Sequence, residues 1–198
     1  MTRCITGPLI MEPLPPPYEP YRSGFETCCH DARMLWDAMT PGEALTPPAP
    51  GRWSPAQCLA HLNAAARPLV PALEARIFKA QRYGPYGAPP FRYGWLGRLF
   101  IASVDPESSV AIPAPPSFRP PPEPDPQAVL DTFCDYQRRL SVCVARSQGL
   151  DWARVRVASP ALPVLYLGIG AWFEATLNHE RRHLQQARQA RGAAPNVA

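Results

Sequence analysis

Lysine is nearly missing from this chain. Lys79 is the only one among 20 basic residues, and charged residues make up just 18% of the sequence. The formal charge of +4 is therefore mild and carried by arginine. An Ala/Arg/Pro-rich, Lys-poor chain reads first as the product of a G+C-rich, bacterial coding sequence. No basic stripe alternates with aromatic residues, so no nucleic-acid partner is expected. No C-x-x-C pair occurs. Cys4, Cys28, Cys29, Cys58, Cys134 and Cys143 follow no regular spacing. They read as small apolar side chains in a reducing compartment, not as a disulfide framework. No apolar run is long enough to cross a bilayer. The longest candidate, residues 162–173, is too short and is followed by Glu174 and Glu180. Residues 1–14 lack the apolar stretch of a signal peptide, and Met11 is a second candidate start. The expectation is a cytoplasmic protein with no membrane partner.

Apolar residues are plentiful, at 46% of 198 residues. That suits one domain with a sizeable core. The 28 prolines cluster at residues 13–20, 41–50 and 113–126, between apolar-periodic runs. Proline fixes φ and removes a donor, so these clusters read as connections. Four long helices are predicted between them. The first spans about residues 20–39, with Phe25, Cys28, Ala32, Leu35 and Trp36 on one stripe. The second has the sharpest start: Ser54 as cap, Pro55 at the first helical position, and Gln57 to close a capping box. Trp53 is placed to staple onto Cys58 or its neighbours. Pro68 and Pro71 are expected to kink this helix. The third begins at Asp125-Pro126 and ends near Gly149. The fourth runs from near Pro163 to about Arg191. A short extra helix is expected over residues 95–101, and residues 153–158 alternate briefly like a strand. The fold class is all-α: an antiparallel four-helix bundle with long proline-rich connections. The domain spans residues 18–192, between an extended or disordered segment 1–17 and a flexible tail 193–198.

Histidine is scarce, which gives its placement weight. His179 and His183 are four apart on the fourth helix, a spacing that stacks both imidazoles on one face. One helix cannot complete a coordination sphere. His61, on the second helix, is the candidate third ligand. The string His179-Glu180-Arg181-Arg182-His183 also matches H-E-x-x-H, in which the glutamate would act as general base. No plausible third ligand follows His183, which argues against that mechanism. Cys28, Cys29 and His30 form a weaker cluster, explained more simply by the first helix's apolar stripe.

The segments Trp53-Ser54-Pro55-Ala56-Gln57-Cys58-Leu59-Ala60-His61-Leu62 and His179-Glu180-Arg181-Arg182-His183-Leu184-Gln185-Gln186-Ala187 resemble the second- and fourth-helix signatures of the DinB-like family. Residues 94–100 and 116–122 resemble its short helix and proline-rich connector. The likeness covers residues 21–191. It implies a four-helix bundle with three metal-binding histidines, matching His61, His179 and His183, often in a homodimer. Some relatives transfer a low-molecular-weight thiol to an electrophile, others are thiol-dependent isomerases, and many have no known activity.

Three neutral imidazoles leave open positions on an ion, the pattern of catalytic sites. Zinc, nickel or iron would suit such ligands. The expected function is a metal-dependent transferase or hydrolase acting on a small molecule, with a thiol cosubstrate or water at the open face. Gln57, Thr176 and Gln186 are candidates to orient the substrate. The alternative is a non-catalytic metal-binding or stress-response bundle.

Overall fold

The computed structural model describes residues 13–107 and 113–193. Cys4, the two candidate starts, and most of the expected leader and tail lie outside the described residues. Six helices follow in order: α1 (Glu19–Asp37), α2 (Pro41–Leu45), α3 (Pro55–Tyr83), α4 (Trp95–Ser103), α5 (Pro126–Arg146) and α6 (Ile169–Ala193). A 3₁₀ turn covers Pro116–Phe118. Two short strands, β1 (Arg156–Ala158) and β2 (Tyr166–Gly168), pair antiparallel.

The first three long helices form where their caps and stripes placed them. Ser54 accepts from the Gln57 backbone N–H, and the Gln57 side chain accepts from the Ser54 N–H, closing the capping box. Asp125 accepts from the N–H groups of Gln127 and Ala128 at the head of α5. Pro68 and Pro71 lie on the exposed side of α3, and neither ends it. The sequence reading passed over α2, although Thr40 and Glu43 make a second capping box around Pro41.

Both α1 and α3 pack against α5 and α6. Phe25, Leu59, Leu73, Ile77, Phe133, Leu140, Phe173 and Leu184 are fully buried between them. Burying each such side chain contributes roughly 1.5–3 kcal/mol. The bidentate pair of Arg139 and Glu74, at 2.8 and 2.7 Å, ties α5 to α3 at the surface.

Two expectations are corrected. The last helix does not begin near Pro163. Residues 166–168 form β2, which pairs back onto the alternating segment flagged at residues 153–158. The Trp152 and Ala153 carbonyls lie against the bare Cα of Gly168, where a Cβ would collide. This close backbone approach seats β2, and α6 starts only after it. The cysteines are also not all thiols: Cys29 on α1 and Cys134 on α5 form a disulfide, with Cα atoms 5.0 Å apart and a separation of 105 positions in sequence. No local spacing announces a pair that distant, because the packing of two helices creates it. Cys28, Cys58 and Cys143 remain free and buried.

Candidate metal centre

His61 lies two turns into α3, so the Ser54 cap fixes both where that helix starts and which way the ring points. His179 and His183 lie one turn apart on α6. The packing of α3 on α6 brings all three rings together, with centroids 4.6–5.1 Å apart and every pair edge to face. One ring nitrogen of each lies within 4.8 Å of the others. The Nε2 atoms of His61 and His179 are 3.2 Å apart. Ligands held tetrahedrally at about 2.0–2.1 Å from one ion stand roughly 3.3 Å from each other, so this edge already has the required length.

The other side of the His61 ring is anchored. Nδ1–H donates to the Phe118 carbonyl at 2.7 Å, leaving the Nε2 lone pair facing the other histidines. Such a carbonyl partner is the usual orienting group behind a ligating imidazole. The Trp53 ring lies tilted against His61 at 4.8 Å and His183 at 5.8 Å between centroids. The expected staple therefore lands on the histidines. His183 Nδ1 is buried and meets no partner at hydrogen-bond distance among the described residues, although the Gln186 side chain lies close enough to His183 to raise its pKa. An orphaned buried ring nitrogen is costly unless something binds it, and a cation is one such group.

The surroundings keep all three rings neutral. Burial lowers the pKa of His61, opposed by its bond to Phe118. Burial also takes His183 down to about 3, helped by His61, with the Gln186 side chain pulling the other way. His179 retains some accessible surface yet sits deep among protein atoms. Its pKa falls well below the ordinary value through burial first, then through His183, His61 and Arg182. Neutral imidazoles offer lone pairs, so this donor set suits a divalent ion.

The histidines border a cavity of about 790 Å³. Leu62, Leu69, Val70, Phe100 and Trp172 supply much of its apolar wall, and Thr176 and Gln186 line it as expected. Gln57 does not line it. Its Nε2 donates to the Pro122 carbonyl at 3.0 Å and so holds down the proline-rich connector. Pro68 and Pro71 do not line it either.

Glu180 is only 3% exposed and accepts a 2.9 Å bond from Gln137 on α5. Burial raises its pKa to about 8, against the bonds from Gln137 and Cys28. Glu180 also lines the cavity, but its side-chain hydrogen-bond partners lie on α1 and α5 rather than on α3. The cluster of Cys28, Cys29 and His30 does not assemble. Cys28 is buried, Cys29 is disulfide-bonded and His30 is exposed. Sequence reasoning missed the Phe118 carbonyl, because a backbone acceptor leaves no residue-type signal.

A family model described as the DinB superfamily matches residues 25–187. No curated protein and no solved structure matches the chain.

Proposed function

This chain belongs to the DinB superfamily, and from that premise we propose that His61, His179 and His183 hold one divalent metal ion and present it to a small, largely apolar substrate. The reaction is transfer of a low-molecular-weight thiol to an electrophile, with hydrolysis by water as the variant. The observation that carries this reading is the convergence of three neutral imidazoles from two helices, two buried and one half-buried, at the edge of a roomy apolar cavity.

A bound ion supplies Lewis acidity, lowering the pKa of a thiol or water so that a nucleophile exists at neutral pH. The protein's own share is positioning. The Phe118 carbonyl fixes the tautomer of His61. Trp53 limits how far the rings of His61 and His183 can tilt. Thr176 and Gln186 offer hydrogen bonds to a substrate from the α6 wall. The apolar lining favours an electrophile with an alkyl or aryl body and excludes competing water.

The test has two arms. Elemental analysis of purified protein is expected to find one zinc, nickel or iron per chain, lost in His61→Ala and His183→Ala. A small thiol and a model alkyl halide are expected to couple faster with the metal-loaded protein, and chelator should abolish the gain. Metal without turnover would favour the non-catalytic reading, for which the bond that engages Glu180 with Gln137 speaks. A wild-type chain that takes up no metal sinks the metal-dependent reaction and leaves only a metal-free, non-catalytic bundle.

A further inference from the structure

Between Glu74 and Asp105 the chain has no acidic residue, and between Asp151 and Glu174 it again has none. These two stretches hold seven of the 20 basic residues. They carry +7 while the whole chain carries +4, so the remainder is net −3. None of the seven makes an ion pair among the described residues. The same stretches hold nine of the eleven large apolar side chains exposed among the described residues.

Folding joins the two stretches. The β1–β2 ribbon packs on α3 through β1 and on α4 through β2, and Arg76 on α3 donates to the Arg156 carbonyl at 3.2 Å. The inner side of α4 is committed: Gly97 is buried over Tyr93 and Ala171, and Phe100 meets Trp172 edge to face at 5.1 Å. The outer side is not. Trp95 is 67% exposed and Leu99 61%, while Val164, in the turn between the strands, is 83% exposed. Arg92 and Arg98 are exposed on or beside the same helix.

We propose that this face, built from the outer side of α4 and the β1–β2 hairpin, docks on the surface of an anionic lipid bilayer. The chemistry selects that occupant. A second copy of the chain would bring like charges together across a two-fold axis. Aliphatic side chains such as Leu96, Leu99 and Val164 give bases nothing to stack on, whereas acyl chains accept them. Trp95 and Tyr166 have the amphipathic rings that settle at headgroup depth, and arginines meet lipid phosphates. No helix among the described residues is long and apolar enough to cross a membrane, which is the ground for expecting no membrane partner, but a contact on the bilayer surface needs no such helix. Phe100 and Ser103 of α4, with Pro160 and Ala161 of the hairpin, also wall the cavity. Docking therefore sets the cavity rim beside the bilayer. This inference does not depend on the metal assignment.

The full chain would be co-sedimented with phosphatidylcholine vesicles, with and without phosphatidylglycerol. The expected result is binding to the anionic vesicles at least about tenfold tighter than to phosphatidylcholine alone. Trp95→Ala/Leu99→Ala should weaken it by about tenfold through lost apolar contact. Arg92→Glu/Arg98→Glu should erase the preference for anionic lipid. Circular dichroism monitors folding, and a second pair on the hairpin, Val164→Ser/Tyr166→Ser, serves if the α4 variants unfold. The proposal is overturned if wild type binds neither vesicle, or if folded variants bind as wild type does. Sedimentation velocity showing a dimer that Trp95→Ala/Leu99→Ala splits would give the face to a second copy. Capture by single-stranded DNA in place of vesicles would give it to nucleic acid.

Discussion

A thiol surrounded by apolar atoms resists ionisation, and Cys143 is such a thiol at 2% exposure. Burial pushes it from 9.0 up to about 12. A folded-state pKa above the unfolded one means that the native state holds its proton more tightly. The contribution of Cys143 to stability is whole below pH 9.0, falls as pH rises, and is gone once pH passes about 12. The slope is about 1.4 kcal/mol per pH unit. Urea titrations should therefore show a shallower alkaline loss for Cys143→Ala than for wild type, even though the truncation leaves a small void. Parallel curves would refute the argument. The same logic keeps the native thiol from alkylation near neutral pH, since the thiolate is the reactive form. A second residue-scale prediction concerns Trp53. Packed against two of the three histidines, it should set metal affinity without contributing a ligand. Trp53→Ala is expected to keep one metal per chain but bind it about tenfold more weakly in a chelator competition, the size of effect typical of groups behind the ligands. Unchanged affinity would reduce Trp53 to a core residue. At this scale His179 and His183 were legible in the sequence because i, i+4 spacing maps directly onto a helix face, whereas His61, on another helix, gained its weight from the family resemblance. The partners of Glu180 were not, since Gln137 and Cys28 reach it only through the packing of three helices.

Among elements, legibility followed whether the signal was local. The start of α3 could be read because a capping box is written in four consecutive residues. Ser54→Ala removes a cap and should lower the unfolding free energy by about 1 kcal/mol in urea. Fraying there reaches His61 within two turns, so the same variant should also weaken metal binding. A Ser54→Asp variant, which keeps an acceptor at the cap, should restore both. Loss of stability without rescue by Asp would show that the serine matters for something other than capping. The start of α6 was misread because its decisive interactions are non-local. Tyr166 pairs with Ala158 and Gly168 with Arg156 across a turn, and the Trp152 carbonyl excludes a side chain at position 168. An apolar run alone cannot tell a buried helix from a strand followed by a helix.

Across the whole molecule two links join different helix pairs. The disulfide of Cys29 and Cys134 connects α1 to α5, while the histidines connect α3 to α6. Periodicity predicted the four long helices, but it carries no information on which residues of distant helices come within bonding range, so the disulfide was invisible to it. Its consequence for stability follows from chain entropy. Closing a loop across 105 residues removes conformations from the unfolded ensemble worth roughly 4–5 kcal/mol. The Cys29→Ala/Cys134→Ala variant should therefore unfold at markedly lower urea than the oxidised wild type, and reductant should move wild type toward the variant while leaving the variant unmoved. Metal content should stay at one per chain in both, because neither α3 nor α6 holds a bridged cysteine. Equal urea midpoints for variant and oxidised wild type would mean that the helix packing alone sets the stability of the α1–α5 pair. A fall in metal content would mean that this pair also holds α6 in place, through the contacts of Glu180 with Gln137 and Cys28.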